Sequence, residues 1–245
     1  MRDPCEHSMP HSIPVNLPDT SYQVIGFDGS STVEECMLNL CQITSLRHPK
    51  LSGYCLFADD PGLPNALQPL DQRQKLCDVL SRWERSLKEY TSGKVPTRTA
   101  VRLYFRLRYY WGYDIQGETE QERIYLAYQM AEDMKTGHIP ISVDLAIETC
   151  ALLAQMHFGP CKGVNDSRIE DVINQSISDK VVAVSCKNVL KQQVLKKWCG
   201  YQLLSPFECA TAVVKALRVW PHFGAKLFEA TVLFIYLSMI VIIYL

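Results

Sequence analysis

The sequence predicts an α+β protein with a mixed N-terminal unit, a helical second unit and an apolar C-terminal tail. Between residues 11 and 112, short segments alternate apolar and polar residues, which is the period of half-buried strands. Between residues 113 and 228, apolar residues recur every three or four positions, which is the period of amphipathic helices. Residues 229–245 are almost entirely apolar, and residues 1–10 are expected to form a flexible N-terminus.

Length and charge restrict the classes of protein. The chain has 245 residues, of which 47% are apolar, so it can form one large or two modest domains with a substantial core. The formal net charge of -1 argues against a nucleic-acid-binding protein, because such domains are usually strongly basic. Residues 1–10 contain charges and prolines and no apolar run, so they do not predict a secretory signal. We therefore expect a protein made in the cytosol, with no nucleic-acid partner.

The first unit begins with a predicted β-hairpin and a helix. Residues 11–17 and 22–27 both alternate, and the Pro-Asp-Thr-Ser sequence between them is typical of a turn. Ser31 and Glu34 have the spacing of a capping box, in which each side chain accepts a hydrogen bond from the other residue's amide. The apolar and small residues that follow fall on one helical face, namely Val33, Met37, Leu40, Cys41 and Thr44.

The rest of the first unit adds two strands and a second helix. Residues 53–57 predict a short strand that ends at the turn sequence of residues 58–62, and residues 98–111 predict the last strand. Between them an amphipathic helix is predicted from the spacing of Leu76, Val79, Leu80, Trp83 and Leu87. The order hairpin, helix, strand, short elements, strand is that of a ubiquitin-like β-grasp.

Helix start signals divide the second unit. Thr119 with Glu122, and Ser205 with Glu208, have capping-box spacing. Ser142 precedes another segment of helical period and is expected to cap it. These signals predict several helices in succession over residues 113–228.

The cysteines indicate reduced thiols in a core. None of the ten forms a C-x-x-C pair, and most lie inside apolar patterns, where a reduced cysteine behaves as a small hydrophobic residue. We therefore expect neither disulfides nor a metal or other cofactor. The ten are Cys5, Cys36, Cys41, Cys55, Cys77, Cys150, Cys161, Cys186, Cys199 and Cys209.

A compact aromatic corner is predicted after the last helix of the second unit. Pro221 has no amide hydrogen and disfavours helical backbone at Trp220, so the helix should end there. Gly224 is free to adopt a positive φ, and large apolar side chains come together around it. The residues assigned to this structural corner are Trp220, Pro221, Phe223, Gly224, Leu227 and Phe228.

Six segments of the chain resemble the first two lobes of FERM domains, in the correct order. The resemblance is closest to adaptor proteins that carry a pleckstrin-homology domain, a myosin-tail homology domain and a FERM domain. The segments are HSIPV (residues 11–15), VIGFDGSSTVEE (24–35), LFADDP (56–61), CDVLSRWE (77–84), GETE (117–120) and the corner at residues 220–228.

The resemblance implies a fold and a function. It implies a ubiquitin-like first lobe over residues 11–112, a helical, acyl-CoA-binding-protein-like second lobe over residues 113–228, and a hydrophobic tail at residues 229–245 in place of the third lobe. It further implies a non-enzymatic adaptor or scaffold at the membrane–cytoskeleton interface, which binds membrane-protein tails or cytoskeletal adaptors in the cytoplasm. Because the third lobe carries much of the family's docking surface, the alternative is a truncated product, such as a shortened splice form, that has lost docking function.

Two groups of basic residues are candidates for binding anionic lipid. The arginines of the last predicted strand are interleaved with aromatic residues, and four lysines lie in a Gln- and Lys-rich helical region at residues 169–198. A solvated polar face gives the same pattern and is the favoured alternative for both. The candidates are Arg102, Arg106, Arg108, Lys187, Lys191, Lys196 and Lys197.

An enzyme is the remote alternative. Asp59 and Asp60 are adjacent carboxylates, but adjacent acids in a loop point apart and usually serve turn geometry. The sequence has no G-x-S-x-G element, Gly-rich phosphate loop or H-E-x-x-H element. We therefore assign no catalytic residue and no metal ligand.

The uncharged C-terminal run has three interpretations. As a helix, residues 230–245 would span about 24 Å at ~1.5 Å per residue, and residues 225–229 would add the length needed to cross a hydrocarbon core of ~30 Å. That helix would be a single-pass membrane anchor; the run could also be a stray extension past a splice junction, or a β-branched strand that covers the two units. The anchor candidates are Val232, Leu233, Phe234, Ile235, Leu237, Ile240, Val241, Ile242 and Ile243.

Overall fold

The chain divides into two compact units, Met1–Arg108 and Tyr109–Leu245. The computed structural model describes residues 11–94, 100–112, 114–137, 139, 141–163, 165–183, 185–219, 223, 226–231 and 238–243. The change from one unit to the other falls four residues before the predicted boundary after residue 112. Strands and helices mix in the first unit, as predicted, and helices follow in the second.

The first unit is built on a five-stranded sheet. Its strands along the chain are β1 (His11–Asn16), β2 (Tyr22–Phe27), β3 (Tyr54–Asp60), β4 (Leu63–Pro69) and β5 (Leu103–Leu107). Their order in the sheet is β2-β1-β5-β3-β4, with β1 and β5 parallel and the other neighbours antiparallel. The described residues of this unit also form the helices α1 (Val33–Ile43), α2 (Pro49–Ser52) and α3 (Leu76–Tyr90).

Alternation along the strands puts one face of this sheet into the core. In β5 the odd-numbered residues are buried and the even-numbered ones half-buried, as the sequence predicts. The predicted face of α1 is buried as well, including Met37 and Leu40, which are fully enclosed. Each such side chain contributes ~1.5–3 kcal/mol by leaving water, so this apolar layer is the main stabilising element of the unit.

Helix α1 begins one residue later than predicted. Its N-cap is Thr32, whose hydroxyl accepts from the Glu35 amide at 3.2 Å, while the Glu35 carboxylate accepts from the Thr32 amide at 2.8 Å. The predicted capping box of Ser31 and Glu34 is therefore wrong. The Ser31 hydroxyl is engaged instead by Asp28, donating to its carboxylate at 2.9 Å and accepting from its amide at 2.9 Å.

Strand β4 was not anticipated, because the acidic turn sequence was interpreted as the end of a strand. Strand β3 continues through Asp60, and the chain then reverses into β4. The Asp60 carboxylate accepts a hydrogen bond from the Gly62 amide at 2.8 Å, which is the turn role that the sequence suggests for it. Strand β5 is shorter than the predicted strand at residues 98–111, of which residues 98 and 99 lie outside the described residues.

The second unit is helical, and its predicted start signals are confirmed. Thr119 and Ser205 form complete capping boxes with Glu122 and Glu208, and the Ser142 hydroxyl accepts from the Leu145 amide. The Gln- and Lys-rich region at residues 169–198, which the sequence predicts to be helical, forms three helices in the described residues. The elements are α4 (Glu120–Lys135), α5 (Val143–Phe158), α6 (Ile169–Ser176), α7 (Asp179–Ala183), α8 (Lys187–Gly200) and α9 (Pro206–Arg218).

Trp198 lies at the centre of the core formed by α5, α6 and α8. Its side chain is fully buried, and its indole N–H donates to the Gly159 carbonyl at 2.9 Å. The Arg168 guanidinium packs against two aromatic rings, with its Cζ 4.8 Å from the ring centroid of Trp198 and 5.8 Å from that of Phe158. Arg168 also donates to the Phe158 carbonyl at 2.8 Å, so the end of α5 is capped by a charged side chain.

Asp166 holds that arginine in place. Its carboxylate, whose side chain is 1% exposed, accepts from Arg168 Nη2 at 2.6 Å and Arg168 Nε at 2.9 Å. The same carboxylate accepts from the amides of Lys162 at 2.8 Å and Arg168 at 3.1 Å. The loop between α5 and α6 is therefore organised around an ion pair between a buried carboxylate and a partly exposed guanidinium.

The C-terminal segment forms a β-hairpin in the described residues. Strands β6 (Lys226–Thr231) and β7 (Ser238–Ile243) pair antiparallel, with Phe228 opposite Val241. Residues 238–243 are a strand, so the helical interpretation is wrong for them and the interpretation as a β-branched strand agrees with them, since Ile240, Val241, Ile242 and Ile243 favour extended backbone. That the strand covers the two units stays a prediction. None of the described helices has the length and apolar character to cross a bilayer. The remaining anchor candidates, at 232–237, lie outside the described residues.

The predicted aromatic corner is described only in part. Helix α9 ends at Arg218, with Val219 as its C-cap, two residues before the predicted end at Trp220. The Phe223 ring packs 5.9 Å from the ring of Tyr110. Trp220, Pro221 and Gly224 lie outside the described residues, and Leu227 and Phe228 belong to β6.

The ion pair between Asp166 and Arg168 predicts a large loss of stability on substitution. Asp166→Asn keeps the side-chain size but leaves Arg168 without its counter-charge, which we expect to lower the free energy of unfolding by ~2–4 kcal/mol. Urea denaturation of the full chain measures this difference. Asp171→Asn, the same change at an exposed residue of α6, should cost no more than ~0.5 kcal/mol. Equal losses in the two variants would contradict the assigned role.

The same pair predicts a dependence of stability on pH. Hydrogen bonds from the Arg168 side chain hold the pKa of Asp166 far below its ordinary value, although burial opposes this. A depressed folded-state pKa stabilises the protein above the unfolded-state pKa of ~3.9, and this stabilisation is lost as the pH falls below that value. The difference in unfolding free energy between the native chain and Asp166→Asn should therefore be constant near neutral pH and shrink below pH ~4. Urea titrations across this range measure it, and a difference unchanged in acid would refute the assignment.

Candidate functional site

The three arginines predicted to bind anionic lipid near β5 are Arg102, Arg106 and Arg108, and the structure gives them different surroundings. Arg102 precedes the strand and is bound to Asp59, whose carboxylate accepts from the Arg102 amide at 2.9 Å and from its Nε at 3.2 Å. The Asp59 carbonyl accepts from the Trp83 indole at 2.7 Å. Asp59 thus connects α3, β3 and the start of β5, which is a structural role and accounts for one of the two adjacent carboxylates. Arg106 is half-buried on the outer face of β5, and Arg108 is exposed just after the strand.

The predicted lysines lie on α8, and three of the four contact carboxylates of other helices. Lys187 and Lys191 both pair with Glu170 of α6. Lys197 pairs with Glu148 of α5, whose carboxylate also accepts from the Tyr201 hydroxyl. Lys196 is exposed. Two carboxylates, those of Glu170 and Glu148, therefore offset part of the positive charge of these four lysines.

Electrostatics agree with this arrangement. The side-chain hydrogen bond from Lys191 lowers the pKa of Glu170. Burial alone would raise the pKa of Glu148, but the hydrogen bonds from Lys197 and Tyr201 outweigh it, so that this pKa is lowered too. Both carboxylates are charged at neutral pH and reduce the potential that the lysines offer to an anionic membrane.

A charge network in the second unit was not anticipated from the sequence. The Arg123 guanidinium donates to Glu118 at 2.6 Å and to Asp114 at 2.9 Å, and Arg218 also bonds to Asp114. Burial raises the pKa of Glu118 despite its cation, whereas the hydrogen bonds from Arg218 and Arg123 lower that of Asp114. The network joins the segment before α4 to the end of α9, so it stabilises the unit and presents no nucleophile or metal site.

The thiols are also structural. Six of the nine described cysteines are buried, which confirms the prediction that most fill apolar positions. Burial raises the pKa of Cys36 and Cys55 to about 11, so that both are protonated thiols at neutral pH. Among the described residues no three His, Cys, Asp or Glu side chains are grouped so that they could hold a metal ion.

Strand β2 offers a different kind of site. It lies at one edge of the five-stranded sheet. Its outward residues Tyr22 and Val24 are 64% and 53% exposed, although both are large and apolar. The alternation of residues 22–27 predicts this strand, but a strand's position at a sheet edge depends on the pairing of distant segments and was not predictable from it.

Comparison with known proteins identifies the fold. The family described as an RA like domain matches residues 9–109. An uncharacterized protein of Drosophila melanogaster, CG43867, is 35% identical over 240 residues, which is 94% of this chain and 13% of that relative. The chain therefore spans a small part of the curated relative it matches.

Solved structures resemble the chain over both units. The C-terminal MyTH4-FERM domain of human myosin 7b, solved in complex with the harmonin-a PDZ3 domain, matches 96% of this chain and 48% of its own, with a TM-score of 0.74 and 14% identity. The complex of the FERM and C-terminal domains of Drosophila Merlin matches 89% of this chain and 68% of its own, with a TM-score of 0.67 and 11% identity. The chain thus has a FERM-like fold with a ubiquitin-like first unit.

The ion pairs on α8 predict how the protein responds to anionic lipid. We expect weak, salt-sensitive binding by the full chain, because the single charge of Glu170 offsets part of the positive charge of Lys187 and Lys191. Glu170→Gln should strengthen binding to phosphatidylserine vesicles at low salt by roughly fivefold, the effect of ~1 kcal/mol for a cation near the surface. The control is Glu84→Gln, which removes the same charge from an exposed position of α3. Vesicle co-sedimentation measures the change, and equal gains in both variants would show that only net charge matters.

Proposed function

We propose that this protein is a non-enzymatic FERM-type adaptor that binds cytoplasmic protein partners at the boundary between membrane and cytoskeleton. One observation carries the proposal: the fold of a myosin MyTH4-FERM domain accounts for 96% of the chain at a TM-score of 0.74, through both units in the same order. The myosin 7b domain was solved with a PDZ domain bound, which makes a protein the partner class that we favour.

The described side chains support binding rather than catalysis. The acids and bases that sequence patterns single out are engaged in ion pairs between elements, as Asp59 with Arg102 and Glu170 with Lys191. The buried thiols have raised pKa values and are poor nucleophiles. What remains for function is surface, namely a sheet edge and exposed apolar side chains, and such surfaces suit protein recognition.

Proximity labelling in cells tests the adaptor proposal. The full chain fused to a labelling ligase should enrich cytoskeletal and membrane-associated cytoplasmic proteins. The matched control is the same fusion with Trp198→Asp, which places a charge in the fully buried core of α5, α6 and α8 and should unfold the helical unit. A labelling profile that does not differ between the two fusions would refute a folded adaptor.

A further inference from the structure

Two thiols of the helical unit lie side by side. Cys161 belongs to the loop between α5 and α6, and Cys199 lies near the end of α8. Their side chains share a hydrogen bond, and Cys199 packs against the core cluster that contains Cys161. Both are free thiols in the structure. The fold thus brings together two sulfur atoms that belong to different elements of the same unit.

Hydrogen bonds on either side of the pair hold the two segments against each other. The Trp198 indole donates to the Gly159 carbonyl at 2.9 Å, and the Gln202 side-chain amide donates to the Cys161 carbonyl at 3.5 Å. Cys199 lies between these two anchors along the chain. The two thiols therefore meet because the backbone places them together, which is the condition for joining two cysteines without moving the main chain.

The two thiols differ in their surroundings. Cys161 is 7% exposed, and its thiol donates to the Gly163 carbonyl at 3.5 Å. Burial first, then the hydrogen bond with Cys199 and the charge of Asp166, raise the pKa of the Cys161 thiol to about 11, so it is protonated at neutral pH. Cys199 is only half-buried. An oxidant dissolved in water therefore reaches Cys199 first.

We propose that Cys161 and Cys199 are an oxidation site, at which a peroxide forms a reversible disulfide that ties the loop between α5 and α6 to the end of α8. The inference goes beyond the adaptor function and does not depend on it. It assigns the two neighbouring thiols a second covalent state besides the reduced one that the structure shows.

The reaction has two steps. The Cys199 thiolate attacks one oxygen of hydrogen peroxide, breaks the O–O bond, becomes a sulfenic acid and releases hydroxide. The Cys161 sulfur then attacks the sulfenic sulfur, so that the S–S bond forms and the hydroxyl group leaves. Each thiol gives its proton to a released hydroxide. Two thiols are thus oxidised to one disulfide, and the peroxide is reduced to two water molecules.

The disulfide has a mechanical consequence. It closes a covalent loop around α6, α7 and most of α8. Such a bond restricts the unfolded chain more than the folded one, so the oxidised unit should be the more stable of the two states. The loop that Asp166 and Arg168 organise through their ion pair is then also held by a covalent bond.

A second pair of neighbouring thiols provides an internal comparison. Cys36 of α1 is buried and Cys77 of α3 is half-buried, and the charge of Cys77 acts on Cys36. The Cys77 thiol donates to the Asp28 carbonyl at 3.5 Å. We expect this pair to oxidise less readily than Cys161 with Cys199, whose thiols share a hydrogen bond.

Mass spectrometry of the full chain tests the site. After treatment with a stoichiometric amount of hydrogen peroxide and alkylation of the remaining thiols, Cys161 and Cys199 should be unalkylated and linked, at a mass lower by about 2 Da than that of the two thiols. Dithiothreitol should restore both thiols. Digestion with trypsin and chymotrypsin cuts at aromatic residues that separate Cys161 from Cys150 and Cys199 from Cys209, so the linked peptides identify the partners.

Thermal denaturation of variants tests the consequence. Cys199→Ser removes the half-buried thiol, and Cys186→Ser, which removes an exposed thiol at the start of α8, is the matched control. Peroxide should raise the unfolding midpoint by about 5 °C or more in the native chain and in Cys186→Ser, but not in Cys199→Ser. Far-ultraviolet circular dichroism of the reduced variants shows whether they are folded, and the peptides of the native chain decide the linkage without any variant.

Several outcomes would overturn the proposal. One is a higher yield of another link, such as Cys36 with Cys77 or a bond between two chains. Another is a sulfinic acid at Cys199 while Cys161 remains alkylated. An oxidised native chain with an unchanged midpoint, or an equal rise in Cys199→Ser, would also contradict it. These measurements need no partner protein, so they test the oxidation site independently of the adaptor proposal.

Discussion

The ion pair of Asp166 and Arg168 is the interaction on which the helical unit most depends. Burying two charges is costly unless each is fully hydrogen-bonded, and here the carboxylate accepts from Arg168 and from backbone amides. The guanidinium in turn caps α5 through the Phe158 carbonyl and stacks on Trp198. This pair therefore fixes the path of the loop between α5 and α6 and helps to position Trp198, the largest core side chain. Removing Arg168 would leave the buried Asp166 carboxylate with backbone amide donors alone, and removing Asp166 would leave the guanidinium with the carbonyls of Phe158 and Pro160.

Several charged side chains of the described residues pair with other elements of the protein, which reduces the charge that they offer to a partner. Glu170 and Glu148 match lysines of α8, and Asp59 matches Arg102. Exposed pairs of this kind contribute only ~0–1 kcal/mol each to stability, but they lower the field available to an anionic ligand. Recognition through backbone hydrogen bonds and apolar side chains does not depend on that field.

Most helix starts and strand positions follow from local sequence signals, whereas pairings between distant segments do not. The residues of β2 and the helix starts at Thr119 and Ser205 follow from periodicity and capping within a few positions. The Ser31 cap failed because Asp28, three residues earlier, competes for the same hydroxyl. The partners of the α8 lysines and the edge position of β2 depend on tertiary contacts, which composition and spacing do not encode.

In the C-terminal run, hydropathy and secondary structure depend on different properties of the side chains. An apolar segment without charge predicts an environment away from water, but it does not decide between helix and strand. A helix over residues 230–245 would have been short of a full membrane span, whereas β-branched side chains at Ile240 and Val241 are restricted in helices and pack well on a pleated sheet. The antiparallel pairing of β7 with β6 satisfies backbone groups that an isolated extended segment would expose. Side-chain branching, rather than total hydrophobicity, is the property that accounts for the observed hairpin.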